Sequence, residues 1–168
     1  EEILTLQLAV QKNKQFIQKL EAPKIKFNLE DTKKLVGSLK FKLTDDQRAA
    51  AWQILKDLEE NATMNRMLMG DVGSGKTVVA ALAALQAIKA GKQVAVLAPT
   101  EVLATQHAKS FVSLLSNLNQ QVDLLVGSLK LKQKSELLNK IEDGSSKFIV
   151  GTHALIQQKV KFSDLAFV

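Results

Sequence analysis

The sequence predicts an α/β fold, a three-layer sandwich whose mostly parallel sheet is covered by helices and preceded by further helices at the N-terminus. Two observations predict this class. From about residue 66 onward, short apolar stretches alternate with longer segments of helical periodicity, as in a series of βαβ units. The stretches 94–98 and 148–151 are continuously apolar, which is typical of parallel strands buried on both faces. In such folds a ligand binds at the carboxyl ends of the strands.

The N-terminal part of the chain is predicted to be helical. The apolar residues of segment 1–20 fall near one face of a helix, and they are Ile3, Leu6, Val10, Ile17 and Leu20. Pro23 ends this helix, and a second helix is predicted over residues 29–39. We expect residues 1–38 to form linker helices and residues 39–168 to form the main domain.

A third helix is predicted to begin after Thr44. Thr44 is a favourable N-cap, and Asp45 and Asp46 suit the first turn because the helix dipole favours negative charge there. Gln47 has two interpretations, and the local sequence leaves both open. It occupies the position that completes a capping box, and its amide also carries the acceptor and donors that would read an adenine base.

The rest of the chain is predicted to alternate strands and helices. The predicted strands are 67–69, 94–98, 122–126, 148–151 and a run that begins at 165. The predicted helices are 76–90, which Gly91 ends, 101–117 and 131–142.

The segment between strand 67–69 and its helix fits the phosphate-binding pattern G-x-x-x-x-G-K-[ST]. Backbone N–H groups can approach phosphate oxygens closely only where no Cβ intervenes, which explains Gly73 and Gly75. Lys76 would bring a positive charge to the β- and γ-phosphates, and the Thr77 hydroxyl would hold Mg²⁺. The sequence therefore predicts a nucleoside triphosphate site, with catalytic roles for Lys76 and Thr77, built from Gly70-Asp71-Val72-Gly73-Ser74-Gly75-Lys76-Thr77.

Polar residues follow three of the predicted strands. Each group could simply cap the next helix, as Thr100 can, so spacing alone leaves capping and ligand binding open. Hydroxyls and N–H groups at helix N-termini also suit the phosphates of a nucleic-acid strand. The candidate contacts are Pro99, Thr100 and Glu101, then Gly127 and Ser128, then Thr152 and His153, with Lys130, Lys132 and Lys134 beyond them.

Composition and charge limit the class of protein. The 168 residues carry a formal net charge of +6, and residues 61–168 hold 12 basic against 7 acidic side chains. That excess suits a polyanionic partner besides the nucleotide, although a lysine-rich solvated surface explains it equally well. The chain has no cysteine, no apolar run of about 20 residues and no signal peptide, so we expect a cytoplasmic protein without membrane contact.

The sequence lacks the acidic residue that a phosphate-loop ATPase needs at the end of a neighbouring strand. Asp123 is expected inside its strand, and Asp164 is expected before one. The last apolar run, 165–168, stops where such a carboxylate would follow, so we expect the domain to be incomplete at its C-terminus. The two arginines, Arg48 and Arg66, are not expected to reach a γ-phosphate.

Four motifs follow one another in an order known from one family of helicases. They are Phe41-x-Leu43-Thr44-x-x-Gln47, the loop 70–77, Ala98-Pro99-Thr100-Glu101 with Gln106-His107, and Val150-Gly151-Thr152-His153-Ala154-Leu155. Together they resemble the RecG family of superfamily 2 DNA helicases. The resemblance covers the first motor domain over residues 39–168, and segment 1–20 resembles part of the linker that precedes it.

The resemblance implies a RecA-like domain that binds ATP and Mg²⁺. It implies a parent enzyme that hydrolyses ATP to move along branched or forked DNA in recombination, repair and regression of stalled forks. Phe41 and Gln47 would contact the adenine, and DNA would meet Pro99, Thr100, Glu101, Gly151, Thr152 and His153. The family's acidic motif II, its second motor domain and its wedge domain are missing here, so the isolated chain is expected to be inactive and to need them as partners.

Two alternative functions are weighed against this one. The related transcription-repair coupling translocase shares the motor, but it usually has an aromatic residue where Ser74 stands. A small-molecule kinase with a phosphate loop would want an arginine-rich lid, which this sequence does not supply. For the isolated chain, a non-catalytic binding module also fits the residues.

Overall fold

The computed structural model describes residues 2–18 and 21–168. The helices in these ranges are α1 Glu2–Gln18, α2 Leu29–Ser38, α3 Asp45–Glu59, α4 Lys76–Lys89, α5 Glu101–Leu115 and α6 Leu131–Glu142. The strands are β1 Gln93–Leu97, β2 Asp123–Leu125, β3 Phe148–Gly151 and β4 Leu165–Phe167. All predicted elements but the strand 67–69 are present, and the predicted bounds that fall within the described ranges are met to within two residues. Residues 1, 19 and 20, at the ends of the first predicted helix, lie outside the described residues.

Helix ends follow the predicted capping chemistry. The Thr44 hydroxyl accepts a hydrogen bond from Gln47 N, and the Gln47 side chain accepts one from Thr44 N, so α3 begins with a complete capping box. Gly91 follows α4 with φ +80°, a conformation that glycine adopts without strain. Sequence therefore determines where the helices that frame the candidate site begin and end.

The four strands form one parallel sheet in the order β2-β3-β1-β4. Gly151 at the end of β3 is in register with Leu97 of β1 on one side and with Leu125 of β2 on the other. The carboxyl ends of these three strands therefore meet at one edge of the sheet. The residues that follow them are brought together there, as the sequence predicts for a ligand-binding edge.

The sheet has an apolar core on each face, which gives the three predicted layers. Phe148 and Val150 of β3 belong to the larger core, together with buried side chains of α3, α4 and α5. Ile149 faces the other way and packs with Leu137 and Ile141 of α6. Because α4 carries the residues after the phosphate loop and is buried along most of its length, the larger core fixes the position of that loop.

Helix α2 and the segment before it pack on the same core as α4. Ile25 and Leu35 are buried, and Ile25 N donates to Leu58 O of α3 at 2.8 Å. The Gln86 side chain of α4 accepts from Asn28 N at 2.7 Å and donates to the Thr32 hydroxyl at 3.1 Å. These contacts bind residues 25–38 to the main body, while a domain boundary near residue 38 stays a prediction.

The strand predicted over 67–69 is wrong. Leu68 packs against the larger core, but Met67 and Met69 are 83% and 81% exposed. A strand needs a hydrogen-bonded neighbour, but β1 is paired on both sides and neither edge strand, β2 or β4, pairs with residues 67–69. Within the described ranges no backbone ladder includes residues 67–69, so this apolar run reaches the phosphate loop as an extended, unpaired segment.

Two further expectations need correction. The expected burial of strand 94–98 holds for Val94, Ala95 and Ala98, but Val96 is half-buried and Leu97 is 51% exposed. Helix α5 ends at Leu115 and continues as a 3₁₀ turn over Ser116–Leu118.

No helix among residues 2–18 and 21–168 combines the length and apolar character needed to cross a bilayer.

Candidate functional site

Two glycines of the phosphate loop adopt a backbone conformation that was not predicted from the sequence. Gly73 and Gly75 have φ of +84° and +85°, in the left-handed region that side chains with a Cβ rarely adopt. Gly75 is also the N-cap residue of α4, and no side chain caps that helix. The first N–H groups of α4 are therefore left for a ligand, and the helix dipole adds partial positive charge at the same point.

The Lys76 ammonium group lies over the loop. Its Nζ donates to Gly70 O and to Asp71 O, both at 2.7 Å, and it lies 3.4 Å from the Ser74 hydroxyl. The positive charge thus sits next to the N-terminus of α4 instead of extending into solvent. A phosphate offers charged acceptors, which bind an ammonium more strongly than neutral carbonyls do. Lys76 is positioned to exchange its carbonyl contacts for phosphate oxygens.

Gln47 joins helix α3 to the phosphate loop. Its Oε1 accepts the capping-box bond from Thr44 N at 2.9 Å, while its Nε2 donates to Ser74 O at 2.8 Å. The loop approaches so closely that a Cβ on Gly75 would overlap this Nε2. Both halves of the amide are therefore in use. The capping interpretation is confirmed, the bond to Ser74 was not foreseen, and the adenine contact stays a prediction.

The predicted nucleotide residues line two different cavities. One has a volume of about 510 Å³, and its walls include Thr44, Gln47, Gly70, Asp71, Ser74 and Lys76. The other, of about 600 Å³, is mostly apolar and is lined by Phe41 together with Phe27, Leu43, Arg48 and Trp52. The structure thus brings Gln47 to the loop but places Phe41, which is 51% exposed, in the neighbouring cavity. Val72 at the loop tip is fully exposed, and Thr77 is half-buried in the first turn of α4.

The candidate DNA contacts lie together after β1, β2 and β3. Pro99, Thr100, Gly127, Ser128 and His153 are exposed there. The Thr100 hydroxyl accepts from Leu103 N at 3.3 Å, so it caps α5 in the way that the sequence predicts. Exposed hydroxyl and N–H groups at the edge of the sheet fit contacts to a phosphate backbone.

Gly151 and Thr152 are buried at this edge. A Cβ on Gly151 would overlap Leu125 O, so close packing of β3 against β2 requires glycine there. Thr152 is 1% exposed, and within the described part of the chain its hydroxyl has no hydrogen-bond partner. Gly151 and Thr152 therefore pack inside the protein at this edge. Of the predicted contacts Gly151, Thr152 and His153, only His153 is exposed in this conformation.

Glu101 faces the turn that follows β2. Its Oε2 accepts from the Ser128 hydroxyl at 2.6 Å, and its Oε1 accepts from Ser128 N at 3.1 Å. The Ser128 hydroxyl is the main reason that the pKa of Glu101 lies below its ordinary value. Desolvation opposes that effect without cancelling it, while the N–H groups of Ser128 and Gly127 and the charge of His153 lower this pKa further.

Both arginines are engaged away from the loop. Arg48 pairs with Asp45, and Arg66 bonds to Asp57 and to the side chain of Gln53. Within residues 2–18 and 21–168, no group of three or more histidine, cysteine or acidic side chains is arranged to hold a metal ion.

Comparison with protein families gives one match that covers most of the chain. The family model of the DEAD/DEAH box helicase matches residues 44–168. Two curated relatives named ATP-dependent DNA helicase RecG align with the whole chain. The protein from Aquifex aeolicus is 46% identical over 168 residues, and the protein from Haemophilus influenzae is 44% identical. The chain spans 21% and 24% of the lengths of these relatives.

Solved structures agree with the sequence relatives. A structure of RecG bound to a three-way DNA junction superposes with a TM-score of 0.91 at 40% identity, over 98% of this chain and 22% of that one. A hypothetical ATP-dependent RNA helicase from Sulfolobus tokodaii superposes with a TM-score of 0.54 at 21% identity, over 74% of this chain and 34% of that one, which shows the fold alone. The comparisons confirm the predicted resemblance to RecG and the α/β, RecA-like fold.

Proposed function

We infer the function from one fact, that the chain belongs to the DEAD/DEAH box helicase family. We propose that it is the nucleotide-binding part of the first motor domain of a RecG-type, ATP-dependent DNA helicase. The observation that carries this proposal is the alignment with RecG proteins along the whole chain, because it includes the phosphate loop and all three polar segments at the sheet edge. A cytoplasmic location belongs to the same proposal.

We propose ATP and Mg²⁺ as the ligands of the phosphate loop. The N–H groups of the loop and of the first turn of α4 would bind the phosphate oxygens, and Lys76 would neutralise the charge that develops as the γ-phosphoryl group leaves. The ion, when bound, neutralises phosphate charge as a Lewis acid, and the Thr77 hydroxyl would be one of its ligands. Gly73 and Gly75 allow the backbone to approach the nucleotide closely.

Adenine recognition is proposed for Gln47 and Phe41. The Gln47 amide already lies at the cavity beside the loop, and its Nε2 is the atom that bonds Ser74 O. A base that enters this cavity would compete with Ser74 for that donor. Phe41 is half exposed but lines the other cavity, so stacking on its ring would require a base that extends from the loop cavity into that one.

Replacing Gln47 with glutamate tests this role separately from helix capping. The glutamate side chain keeps an acceptor for Thr44 N but replaces the Nε2 donor with an oxygen that faces Ser74 O, so we expect the α3 cap to be kept while the contact to the loop is lost and ATP affinity falls about tenfold. The measurement is ATP titration of the whole protein, with thermal unfolding as the stability control. Gln47→Ala, which removes both functions, should also destabilise the fold by about 1 kcal/mol. Equal ATP affinity in Gln47→Glu and the unchanged protein would exclude an essential donor role.

We propose branched or forked DNA as the partner of the sheet edge, with the second motor domain and the wedge domain of the same parent protein completing the site. The exposed groups at Thr100, Ser128 and His153 and the excess of basic residues in 61–168 support a phosphate-binding surface. The transcription-repair coupling translocase is not favoured, because Ser74 stands where it usually has an aromatic residue. A small-molecule kinase is not favoured, because the chain matches the DEAD/DEAH box helicase family.

DNA-stimulated ATP hydrolysis by the whole protein tests the proposal. We expect the rate to rise at least tenfold with forked DNA and less with linear duplex of equal length, because fork binding adds phosphate contacts. Addition of nucleoside monophosphates as acceptors is the control for a kinase. Turnover that ignores DNA but depends on a small acceptor would replace the helicase with a kinase.

A further inference from the structure

Glu101 connects two segments that do not follow adjacent strands. It is the first residue of α5, after β1, whereas Ser128 belongs to the turn after β2. In the sheet order, β3 lies between these two strands. Since neighbouring strands are about 4.8 Å apart, the ends of β1 and β2 are separated by about 10 Å. The Glu101 side chain spans the end of β3 to reach the turn.

The contact is specific on both sides. The two carboxylate oxygens bind different donors of one residue, since Oε2 accepts from Ser128 Oγ at 2.6 Å and Oε1 accepts from Ser128 N at 3.1 Å. A Cβ on Gly127 would lie 3.0 Å from Oε1, so glycine leaves the carboxylate room to approach. The donor groups that could meet a phosphate at this turn are thus directed at a carboxylate of the same chain.

The charge of Glu101 is wrong for a direct DNA contact. A carboxylate repels phosphate oxygens, and both of its oxygens already accept hydrogen bonds from Ser128. The turn is anchored on both sides, since Val126 and Leu129 pack on the apolar cores, but Gly127 and Ser128 between them are exposed. Within the described residues, the turn's own backbone bond, from Leu129 N to Val126 O, is long at 3.4 Å. The carboxylate is therefore the closest hydrogen-bonding partner of this turn.

We propose that Glu101 is a positioning residue: by binding both donors of Ser128 it holds the Gly127–Ser128 turn at a fixed place beside the N-terminus of α5, so that the edge around Thr100 keeps the shape that receives the DNA backbone. This revises the prediction that Glu101 itself binds nucleic acid. The inference rests on the proposed function, because it concerns how the DNA-contacting edge is organised. Its structural part, the restraint of Ser128 by Glu101, does not depend on DNA.

Four variants of the whole protein test the inference: Glu101→Ala, Glu101→Gln, Ser128→Ala and the double variant Glu101→Ala with Ser128→Ala. We expect Glu101→Ala to raise the half-saturating concentration of forked DNA in the ATPase assay about tenfold, since charge-assisted hydrogen bonds to the turn are lost. The rate at saturating DNA should change less than twofold, so that the effect appears in the half-saturating concentration. Glu101→Gln keeps an acceptor for Ser128 N and should recover part of the affinity. Removing the Ser128 hydroxyl should weaken DNA binding less in the Glu101→Ala background than in the unchanged protein, because the two residues act as a pair.

Glu136→Ala is the matched control, because it removes one exposed negative charge from α6, away from the edge. Tighter DNA binding in Glu101→Ala would show that the carboxylate competes with phosphate and would overturn the proposal. The proposal would also be overturned if Glu101→Ala and Glu136→Ala changed DNA affinity equally. The same holds if the effects of Glu101→Ala and Ser128→Ala on DNA affinity simply add in the double variant.

Amide hydrogen exchange without DNA or ATP separates this inference from the proposed function. We expect the peptide that contains Ser128 to exchange faster in Glu101→Ala than in the unchanged protein, with Glu101→Gln between them. Unchanged exchange there would mean that Glu101 does not restrain the turn, whatever the DNA assay gives. A different outcome is that the exchange rates change as expected but DNA does not stimulate the ATPase. That result would contradict the helicase proposal and the DNA-positioning role, and Glu101–Ser128 would then be a structural contact only.

Discussion

Replacing Lys76 with alanine is expected to reduce ATP turnover by the whole protein by a factor on the order of 100 to 1,000. The ammonium is already held at the N-terminus of α4 by Gly70 O and Asp71 O, both 2.7 Å away. The ammonium has only to exchange these two carbonyls for phosphate oxygens, and loss of one donor that stabilises the transition state costs about 3–4 kcal/mol of the barrier. Steady-state ATPase rates with saturating forked DNA measure the effect.

Lys89→Ala is the matched control, since Lys89 is exposed in the last turn of the same helix. It removes an equal charge from the end of α4 that faces away from the loop, so turnover should stay within twofold. Thermal unfolding of Lys76→Ala should show a small change, because the two carbonyls it releases lie in an exposed loop and can bind water. Unchanged turnover in Lys76→Ala would place the active site elsewhere and would remove the motor interpretation.

The sequence was sufficient where structure depends on neighbouring residues. The Thr44 capping box, the Thr100 cap of α5 and the end of α4 before Gly91 all follow from residue types at short spacing. Such features are local, because a hydroxyl, an amide or a missing Cβ acts on the backbone within a few residues. The fold class followed for a similar reason, since parallel strands buried on both faces have a recognisable composition.

The sequence was not sufficient where residues far apart in the chain meet. Gln47 bonds to Ser74, and Glu101 bonds to Ser128; each pair is separated by 27 positions, so no spacing rule connects them. Both contacts lie at the candidate site, and both give a predicted ligand-binding side chain a partner within the protein. The prediction for residues 67–69 was wrong for a related reason. Their composition suits a strand, but no strand of the sheet pairs with them.

Burial also distinguished residues that a motif groups together. Gly151, Thr152 and His153 are adjacent in the predicted DNA-contact motif, yet the first two are buried and only His153 is exposed. The cause is the close approach of β3 to β2 at this edge, which directs the chain inward before it turns into the segment His153–Ile156. A motif therefore identifies a segment, and packing decides which of its residues can contact a ligand.

Replacing Gly75 with alanine is expected to lower ATP affinity by about two orders of magnitude. Gly75 has φ +85°, and an added Cβ would overlap Gln47 Nε2. The strained backbone costs about 1–2 kcal/mol of stability. The larger effect is on binding, because Gln47 must leave Ser74 and the first N–H groups of α4 are turned away from the phosphates, which misdirects hydrogen bonds worth about 1.5–3 kcal/mol each. Titration with a nonhydrolysable ATP analogue measures the affinity.

Two other glycines in the same backbone conformation separate strain from crowding. Gly91 has φ +80° and lies at the far end of α4, where an added Cβ would meet no atom within 4 Å, so Gly91→Ala should lose similar stability and keep ATP affinity. Gly73 has φ +84° and equal space around it, but it lies within the loop. The ATP affinity of Gly73→Ala should therefore fall between the affinities of Gly75→Ala and Gly91→Ala. If Gly75→Ala binds the analogue as tightly as Gly91→Ala, then neither the close approach to Gln47 nor the alignment of α4 determines nucleotide binding, and the proposed contribution of α3 to the site is wrong.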